Sequence, residues 1–294
     1  MKPIETCTVG IVGLGLMGGA IALALRSAGI IGPAGRIVAY DHDGAPLAEA
    51  QAAGVIDAGF SSPAPMLGRC DLVFLCLTPT TLLRFMENQM AAFQPGTLIT
   101  DIAGIKGSIV TAMERTLRDD LDFIPGHPMA GSELGGFVHA KRCTFQGKNY
   151  ILTPLKRNKP ENLDYLKTLI YRMGFGRITE TTAEEHDRKI AFTSQLCHVI
   201  AAALIDCEAD TEITRFGGGS FEDLTRIAML NAPMWTELFL ENQTELVRRI
   251  EQFEGSLDTL KGLIACSQGA ALEKRLHAVR ERRSAFSLTA DAAH

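Results

Sequence analysis

Gly13-Leu14-Gly15-Leu16-Met17-Gly18 lies at a junction between two kinds of periodicity in this 294-residue chain. The residues before it, 7–12, form an uncharged, mainly apolar run typical of a buried strand, and residues 17–28 continue as an Ala- and Leu-rich helix. A second predicted strand, residues 36–40, ends at Asp41. A glycine-rich turn between strand and helix, followed about 20 residues later by an acidic residue, is the pattern of a dinucleotide-binding site.

Each glycine of the motif has its own part in this prediction. Gly13 permits the tight turn, Gly15 lets the backbone approach a pyrophosphate, and Gly18 lets the helix pack against the strand. A carboxylate at position 41 accepts hydrogen bonds from ribose hydroxyls and repels a 2′-phosphate, which favours NAD over NADP. The alternative, that the glycines only make turns, stays open on the motif alone. The expected cofactor contacts are Gly13, Gly15, Leu16, Met17, Gly18, Asp41, Thr78 and Asp101.

Short β-rich runs alternate with helical runs from residue 7 to about residue 126, and the alternation continues to residue 181. Strands that are apolar on both faces and separated by helices indicate a parallel sheet covered on both sides. We therefore predict an α/β domain of the Rossmann type, with a doubly wound parallel sheet, over residues 1–181. Helical periodicity dominates afterwards, so residues 182–294 are predicted to form an all-α domain for substrate binding and dimerisation.

Composition limits the classes of partner and location. With a formal net charge of −5, the chain lacks the basic excess expected of a nucleic-acid or membrane-surface protein. The seven cysteines are scattered and include no Cys-x-x-Cys pair, so we expect reduced thiols and no metal site. The uncharged segment 6–25 is compatible with a signal peptide, but its five glycines favour strand, turn and helix, and a cytoplasmic protein.

A histidine on a Gly- and Pro-rich loop is the main candidate for chemistry. The stretch His127-Pro128-Met129-Ala130-Gly131 follows a short predicted strand at residues 123–124. In parallel sheets, ligands bind at the edge where the strands end. Because an imidazole titrates near neutral pH, His127 can accept a proton from an alcohol as the carbon loses hydride. A structural histidine is the alternative interpretation.

The same stretch, continued by Ser132-Glu133-Leu134-Gly135-Gly136, resembles the prephenate dehydrogenase family. The resemblance extends, in the same order, over roughly residues 8–240. The further matching segments are Asp101-Ile-Ala-Gly-Ile-Lys106-Gly, Tyr150-Ile-Leu-Thr-Pro154, Glu185-His186-Asp187, Ser194-Gln-Leu-Cys-His198, Gly217-Gly-Gly-Ser-Phe-Glu-Asp-Leu-Thr225-Arg226 and Pro233-Met-Trp235.

The resemblance implies NAD-dependent oxidative decarboxylation of prephenate to 4-hydroxyphenylpyruvate in tyrosine biosynthesis. It implies that His127 is the catalytic base or hydroxyl acceptor and that Arg226 binds the ring carboxylate, for which a guanidinium fork is suited. An ordinary surface arginine is the alternative for Arg226. A homodimer is also implied. The remaining expected substrate contacts are His198, Ser132, Glu133 and Gln195.

Two positions depart from the family pattern. Gly104 stands where the family commonly has a serine that supports the catalytic histidine, so that hydrogen bond is absent or comes from Ser132, Ser108 or water. Gln195 stands where the family often has a histidine, and an amide cannot titrate. Both changes bear on the choice between prephenate and its amino analogue arogenate. His186 is expected to cap or orient a helix, outside the chemistry.

Three alternative functions stay open. Arogenate dehydrogenase performs the same chemistry on the amino substrate. A β-hydroxyacid dehydrogenase shares the opening Gly-Leu-Gly-x-Met-Gly, but it relies on a lysine in a glycine-rich helix that is not evident here. A binding protein that senses NAD(H) without turnover is the third, because a site weakened at Gly104 could bind the cofactor without reacting.

Overall fold

The computed structural model describes residues 1–131 and 134–291, with side chains as far as Phe286. The chain divides into two compact units, Met1–Gln243 and a smaller one that begins at Thr244.

Six parallel strands form the central sheet of the first unit. In chain order they are β1 (Thr8–Val12), β2 (Arg36–Tyr40), β3 (Ala58–Phe60), β4 (Leu72–Leu75), β5 (Leu98–Asp101) and β6 (Asp122–Ile124). Their order in space is β3-β2-β1-β4-β5-β6, and every neighbouring pair is parallel. This order belongs to doubly wound dinucleotide-binding folds, so the predicted fold class is confirmed.

Helices cover both faces of this sheet. Strand β4 shows why, since all four of its residues are fully buried. Leu72 and Phe74 pack into one hydrophobic core, and Val73 and Leu75 pack into the other. Successive strand side chains point to opposite faces, so a continuous apolar strand needs a covered surface on each side. The connecting helices are α1 (Leu16–Ser27), α2 (Gly44–Ala52), α3 (Pro63–Leu67), α4 (Pro79–Gln89) and α5 (Gly107–Thr116).

A second, three-stranded sheet follows. It consists of β7 (Gly126–Pro128), β8 (Asn149–Leu152) and β9 (Arg177–Glu180), with α6 (Pro160–Arg172) between the last two. Strand β7 pairs antiparallel to β8, and β8 pairs parallel to β9. His127, expected on a loop, therefore lies in an edge strand opposite Ile151. A three-residue strand that contains Gly and Pro gives no strand signal in the sequence, and an edge position tolerates the missing N–H of Pro128.

The first unit ends in helices. These are α7 (Ala183–Ile190), a π-helical turn (Ala191–Gln195), α8 (Leu196–Asp206), α9 (Gly219–Thr225) and α10 (Ala232–Glu241). Thr182 caps α7 by accepting a hydrogen bond from Glu185 N–H. Helix α7 thus begins at Ala183, and the division into domains after residue 181 stays a prediction. The continuous run Ala183–Asp206 is long and apolar enough to cross a membrane by length and composition, a test that core helices of soluble proteins also pass.

Two helices of 23 residues each account for most of the smaller unit: α11 (Gln243–Ala265) and α12 (Gly269–Asp291). Large apolar side chains on both helices are more than half exposed, which is typical of a surface that another chain covers. They are Leu257, Ile264, Leu276, Val279 and Phe286.

Candidate active site

The glycine motif forms the turn between β1 and α1. Gly13 has a φ of +88°, a conformation that glycine adopts without strain. A Cβ on Gly18 would lie 2.0 Å from the carbonyl oxygen of Gly13, so only glycine allows α1 to pack this closely against the turn. A Cβ on Gly15 would meet no atom within 4 Å. The face at Gly15 is therefore open, as a phosphate group that approaches the N-terminus of α1 requires.

Asp41 follows β2 and is joined to the glycine turn. Its Oδ2 accepts a hydrogen bond from Leu14 N–H at 2.7 Å, and its Oδ1 accepts one from Asp43 N–H at 3.0 Å. The carboxylate thus lies beside the turn at the carboxyl ends of the parallel strands, where ribose hydroxyls bind in folds of this type. This placement fits the predicted preference for NAD.

Three further predicted cofactor residues lie at the same edge of the sheet. Leu16 and Met17 occupy the first turn of α1 and are partly exposed. Thr78 follows β4 and precedes α4, and its hydroxyl donates to the hydroxyl of Thr81 at 3.1 Å. Because β1 and β4 are neighbours, these residues adjoin the glycine turn.

Asp101 differs from the other predicted cofactor residues because it forms a fully buried ion pair with Lys106. Lys106 Nζ lies 2.6 Å from Asp101 Oδ2 and also donates to two carbonyls of its own loop. Asp101 accepts further hydrogen bonds from Ala103 N–H and Gly126 N–H. Burial lowers the pKa of Lys106, and the Asp101 charge opposes that shift. The carboxylate ties the end of β5 to β7, and its predicted cofactor contact stays a prediction.

His127 lies at the middle of β7. Its Nδ1 is 2.9 Å from Nε2 of His186, and a Cβ placed on Gly104 would lie 3.9 Å from its Nε2. Burial lowers the pKa of His127 well below 6.5, and the charges of His186 and Lys106 lower it further. The imidazole is therefore neutral at pH 7 and can act as a proton acceptor.

His186, near the start of α7, is the residue that sequence reasoning placed outside the chemistry. Its side chain has no exposed surface, and its Nδ1 lies 2.7 Å from Asp187 Oδ1. Asp187 also accepts hydrogen bonds from Lys106 N–H at 2.8 Å and Gly107 N–H at 2.7 Å. The available sequence signal was the adjacent His-Asp pair, which cannot reveal a partner 59 positions earlier in the chain.

The described partner of His127 is thus His186, which was not among the expected partners Ser132, Ser108 and water. Ser108 Oγ is buried and has no hydrogen-bond partner among the residues that the structure describes. Ser132 and Glu133, expected at the substrate, lie outside the described residues. The described neighbour of the His127 ring nitrogen Nδ1 is His186.

A second group of predicted residues lies on the helices. His198 on α8 stacks on Trp235 of α10, with ring centroids 3.7 Å apart and planes inclined by 30°. Its Nδ1 donates to the Ser194 carbonyl at 2.9 Å. Burial lowers the pKa of His198, and the charge of nearby Arg226 lowers it further. Arg226 is exposed at the start of a 3-10 turn after α9. An aromatic surface beside a guanidinium suits a ring that carries a carboxylate.

Gln195 lies inside the helical region, where its side chain is 2% exposed. Its Nε2 donates to the Leu238 carbonyl at 2.8 Å, and its Oε1 accepts from Asn242 at 2.7 Å. A Cβ on Gly104 would lie 3.4 Å from the Leu238 side chain, so Gln195 helps to hold a residue that packs close to Gly104. The substrate contact expected of Gln195 stays a prediction.

The residues around His127 and Gly104 lie next to the residues around His198. Trp235 lies one turn before Leu238 on α10, and His198 lies one turn after Gln195. Residues three apart on a helix are surface neighbours, so the His198 stack lies next to the contact that covers Gly104.

Two family models match the chain in sequence. The nucleotide-binding domain of prephenate dehydrogenase matches residues 21–179, and the dimerization domain of prephenate dehydrogenase matches residues 182–278. The first match begins after the glycine turn, so the geometry described above is independent evidence for that turn.

Individual proteins are similar along nearly the whole chain. Prephenate dehydrogenase of Bacillus subtilis is 29% identical over 288 residues, which are 96% of this chain and 76% of that protein. The structure of prephenate dehydrogenase from Aquifex aeolicus with hydroxyphenyl propionate and NAD+ has 31% identity and a TM-score of 0.85, covering 97% of this chain and all of that one. Synechocystis arogenate dehydrogenase has 26% identity and a TM-score of 0.77, covering 95% and 99%. With both domain models matched in order, the protein belongs to the prephenate dehydrogenase family.

Proposed function

We propose that the protein catalyses the NAD-dependent oxidative decarboxylation of prephenate to 4-hydroxyphenylpyruvate, a step of tyrosine biosynthesis. The observation that carries the proposal is a neutral His127, bound at Nδ1, whose Nε2 faces the Gly104 side of the site. A neutral imidazole nitrogen is the acceptor that a ring hydroxyl needs while its carbon loses hydride.

The reaction balances with one proton acceptor and one partner for the carboxylate. The C–H bond at the hydroxyl-bearing carbon breaks with loss of hydride, and the hydroxyl proton passes to His127 Nε2. The bond between the ring and its carboxylate then breaks, carbon dioxide leaves, and the electron pair makes the ring aromatic. The proton on His127 returns to the phenol oxygen, so the enzyme regains its starting protonation state.

The residues around the glycine turn fit NAD as the cofactor. The open face at Gly15 and the N-terminus of α1 would hold the pyrophosphate, and Asp41 would hold the adenosine ribose. When bound, NAD+ supplies the hydride acceptor. The Aquifex aeolicus relative was solved with NAD+, which supports this assignment.

Arg226 is the proposed partner of the ring carboxylate, and the His198 and Trp235 rings line the substrate site beside it. A charged fork can hold the carboxylate in two hydrogen bonds until its bond to the ring breaks. The family resemblance also keeps Ser132 and Glu133 as proposed substrate contacts.

The same proposal covers domain organisation, assembly and location. We place the domain boundary at residue 181, supported by family models that meet between residues 179 and 182. A homodimer is supported by the match to a dimerization domain and by the exposed apolar faces of α11 and α12. A cytoplasmic location is supported by scattered, unpaired cysteines, typical of reducing compartments.

Arogenate is the alternative substrate, because the Synechocystis relative is an arogenate dehydrogenase. The test follows NADH or NADPH absorbance with prephenate and arogenate, each with NAD+ and NADP+. We expect the highest kcat/KM with prephenate and NAD+. Turnover confined to arogenate would replace the substrate, and no turnover with either would overturn the activity.

Two arginine variants, one of them a control, test the carboxylate contact in the same assay. Loss of a charge-assisted hydrogen bond worth roughly 1.5–3 kcal/mol should raise the KM for prephenate about 10- to 100-fold in Arg226→Ala. Arg215→Ala removes an exposed arginine that pairs with Glu212 and should leave that KM unchanged. An unchanged KM in Arg226→Ala would contradict the assignment.

A further inference from the structure

His186 is a buried histidine with each ring nitrogen next to a different partner. Asp187 lies on the Nδ1 side at 2.7 Å, and His127 lies on the Nε2 side at 2.9 Å. The His127 and His186 rings meet edge to face, with centroids 5.1 Å apart. A histidine that served only to fill space would not need both nitrogens matched in this way.

Asp187 determines which nitrogen carries hydrogen in each ring of this hydrogen-bonded series. Two backbone N–H groups, of Lys106 and Gly107, donate to its two carboxylate oxygens. An ionised carboxylate only accepts hydrogen bonds, so Nδ1 of His186 must be the nitrogen that carries hydrogen. Since burial lowers the pKa of His186 below 6.5, its ring is neutral at pH 7 and its Nε2 is an acceptor.

The protonation of His186 in turn determines the tautomer of His127. An acceptor at His186 Nε2 requires His127 to donate from Nδ1. The neutral His127 ring then presents an unprotonated Nε2 on the Gly104 side, where the glycine supplies no hydroxyl of its own. The opposite tautomer would set two lone pairs against each other across 2.9 Å.

We propose that His186 is a positioning residue, which, held by Asp187, fixes His127 in the tautomer whose Nε2 receives the substrate's hydroxyl proton. The inference rests on the proposed function of His127. Once that proton has arrived, the His127 imidazolium donates a stronger, charge-assisted hydrogen bond to His186, and the Asp187 carboxylate stabilises the charge through it. The other charged groups near His186 are Lys106 and Asp101, which form their own buried ion pair.

Two substitutions separate positioning from packing. His186→Phe keeps a ring of similar size but removes the acceptor, whereas His186→Gln can place an amide oxygen near the position of Nε2. We expect His186→Phe to lower kcat roughly 10²-fold with the KM for prephenate within about threefold, and His186→Gln to recover most of the loss. Equal losses in both variants, or wild-type kcat in His186→Phe, would overturn the proposal.

A double-mutant cycle with His127→Asn tests whether His186 acts through His127. In the His127→Asn background, His186→Phe should cause no further loss of kcat, because the residue it positions is gone. A full additional 10²-fold loss would contradict the inference. If wild-type protein shows no turnover, or His127→Asn keeps full activity, the proposed function fails instead.

Nitrogen-15 NMR of histidine-labelled wild-type protein reads the tautomer without any turnover, so it also serves if His186→Phe does not fold. The His127 signals, assigned by their loss in His127→Asn, should show hydrogen on Nδ1 and none on Nε2 at pH 7. Hydrogen on Nε2 would overturn the inference, whatever the kinetics show.

Discussion

The glycine turn at residues 13–18 and the pair of His127 and His186 lie in the same compact unit but are built in opposite ways. The turn is made by six consecutive residues, and its constraints are steric contacts between backbone atoms. The histidine pair joins residues 59 positions apart, and its constraints are hydrogen bonds that end at Asp187. A local site of the first kind fails through clashes, whereas a site of the second kind fails through lost partners or wrong protonation.

The acidic residues of the two regions differ in the groups that they contact. Asp41 is held by two backbone N–H groups and keeps part of its side chain exposed, as a ligand-binding carboxylate requires. Asp187 is similarly exposed but also contacts the buried His186 ring, and Asp101 is fully buried in its ion pair with Lys106. A carboxylate close to a predicted active site is therefore not evidence of ligand contact until its partners are known.

We expect the largest effect, a loss of kcat, from a substitution of His127. His127→Asn should lower kcat roughly 10²- to 10⁴-fold, because a general base usually contributes a rate factor of this size. The dissociation constant of NAD+ should change little. Steady-state rates and a separate NAD+ titration check this. His277→Asn, at an exposed histidine of α12, is the matched control and should keep full activity. Full activity in His127→Asn would contradict its role.

Two glycine substitutions test the steric constraints in the turn at residues 13–18. Gly18→Ala places a Cβ 2.0 Å from a backbone oxygen, so it should cost roughly 1–3 kcal/mol in the free energy of unfolding and weaken NAD+ binding at least about tenfold. Gly15→Ala meets no protein atom, so its free energy of unfolding should stay within about 0.5 kcal/mol while NAD+ binding still weakens. Urea unfolding and NAD+ titration measure both quantities. Equal destabilisation in the two variants would refute the distinction.

A further prediction concerns how the free energy of unfolding depends on pH. Burial lowers the pKa of His127, His186 and His198 in the folded protein, so below about pH 6.5 the unfolded chain binds protons that the folded chain does not. The free energy of unfolding should therefore fall as the pH drops from 6.5 to 5, by at most about 1.4 kcal/mol per pH unit for each histidine. Urea midpoints at several pH values measure the slope. The slope should be smaller in His127→Asn, and an identical slope would contradict the burial argument.

Sequence reasoning reached the parallel sheet because strands such as β4 are apolar throughout and alternate with helices. It also identified His127, Arg226 and His198 as candidates through motif resemblance. It missed that β7 belongs to a second sheet, since a three-residue Gly-His-Pro strand has no detectable periodicity. It placed His186 outside the chemistry for a different reason, because a His-Asp pair at a helix start is equally compatible with capping.

By itself, the sequence determined the doubly wound sheet, the glycine turn and the acidic residue that follows the second strand. These features depend on the conformational range of glycine and on the periodicity of buried side chains, both of which are properties of short segments. Only the tertiary structure decided which groups meet His127, because hydrogen bonds between β7, α7 and the loop before α5 depend on how distant elements pack. It likewise decided that Gln195 and Asp101 lie in the interior, since burial is a property of the assembled fold.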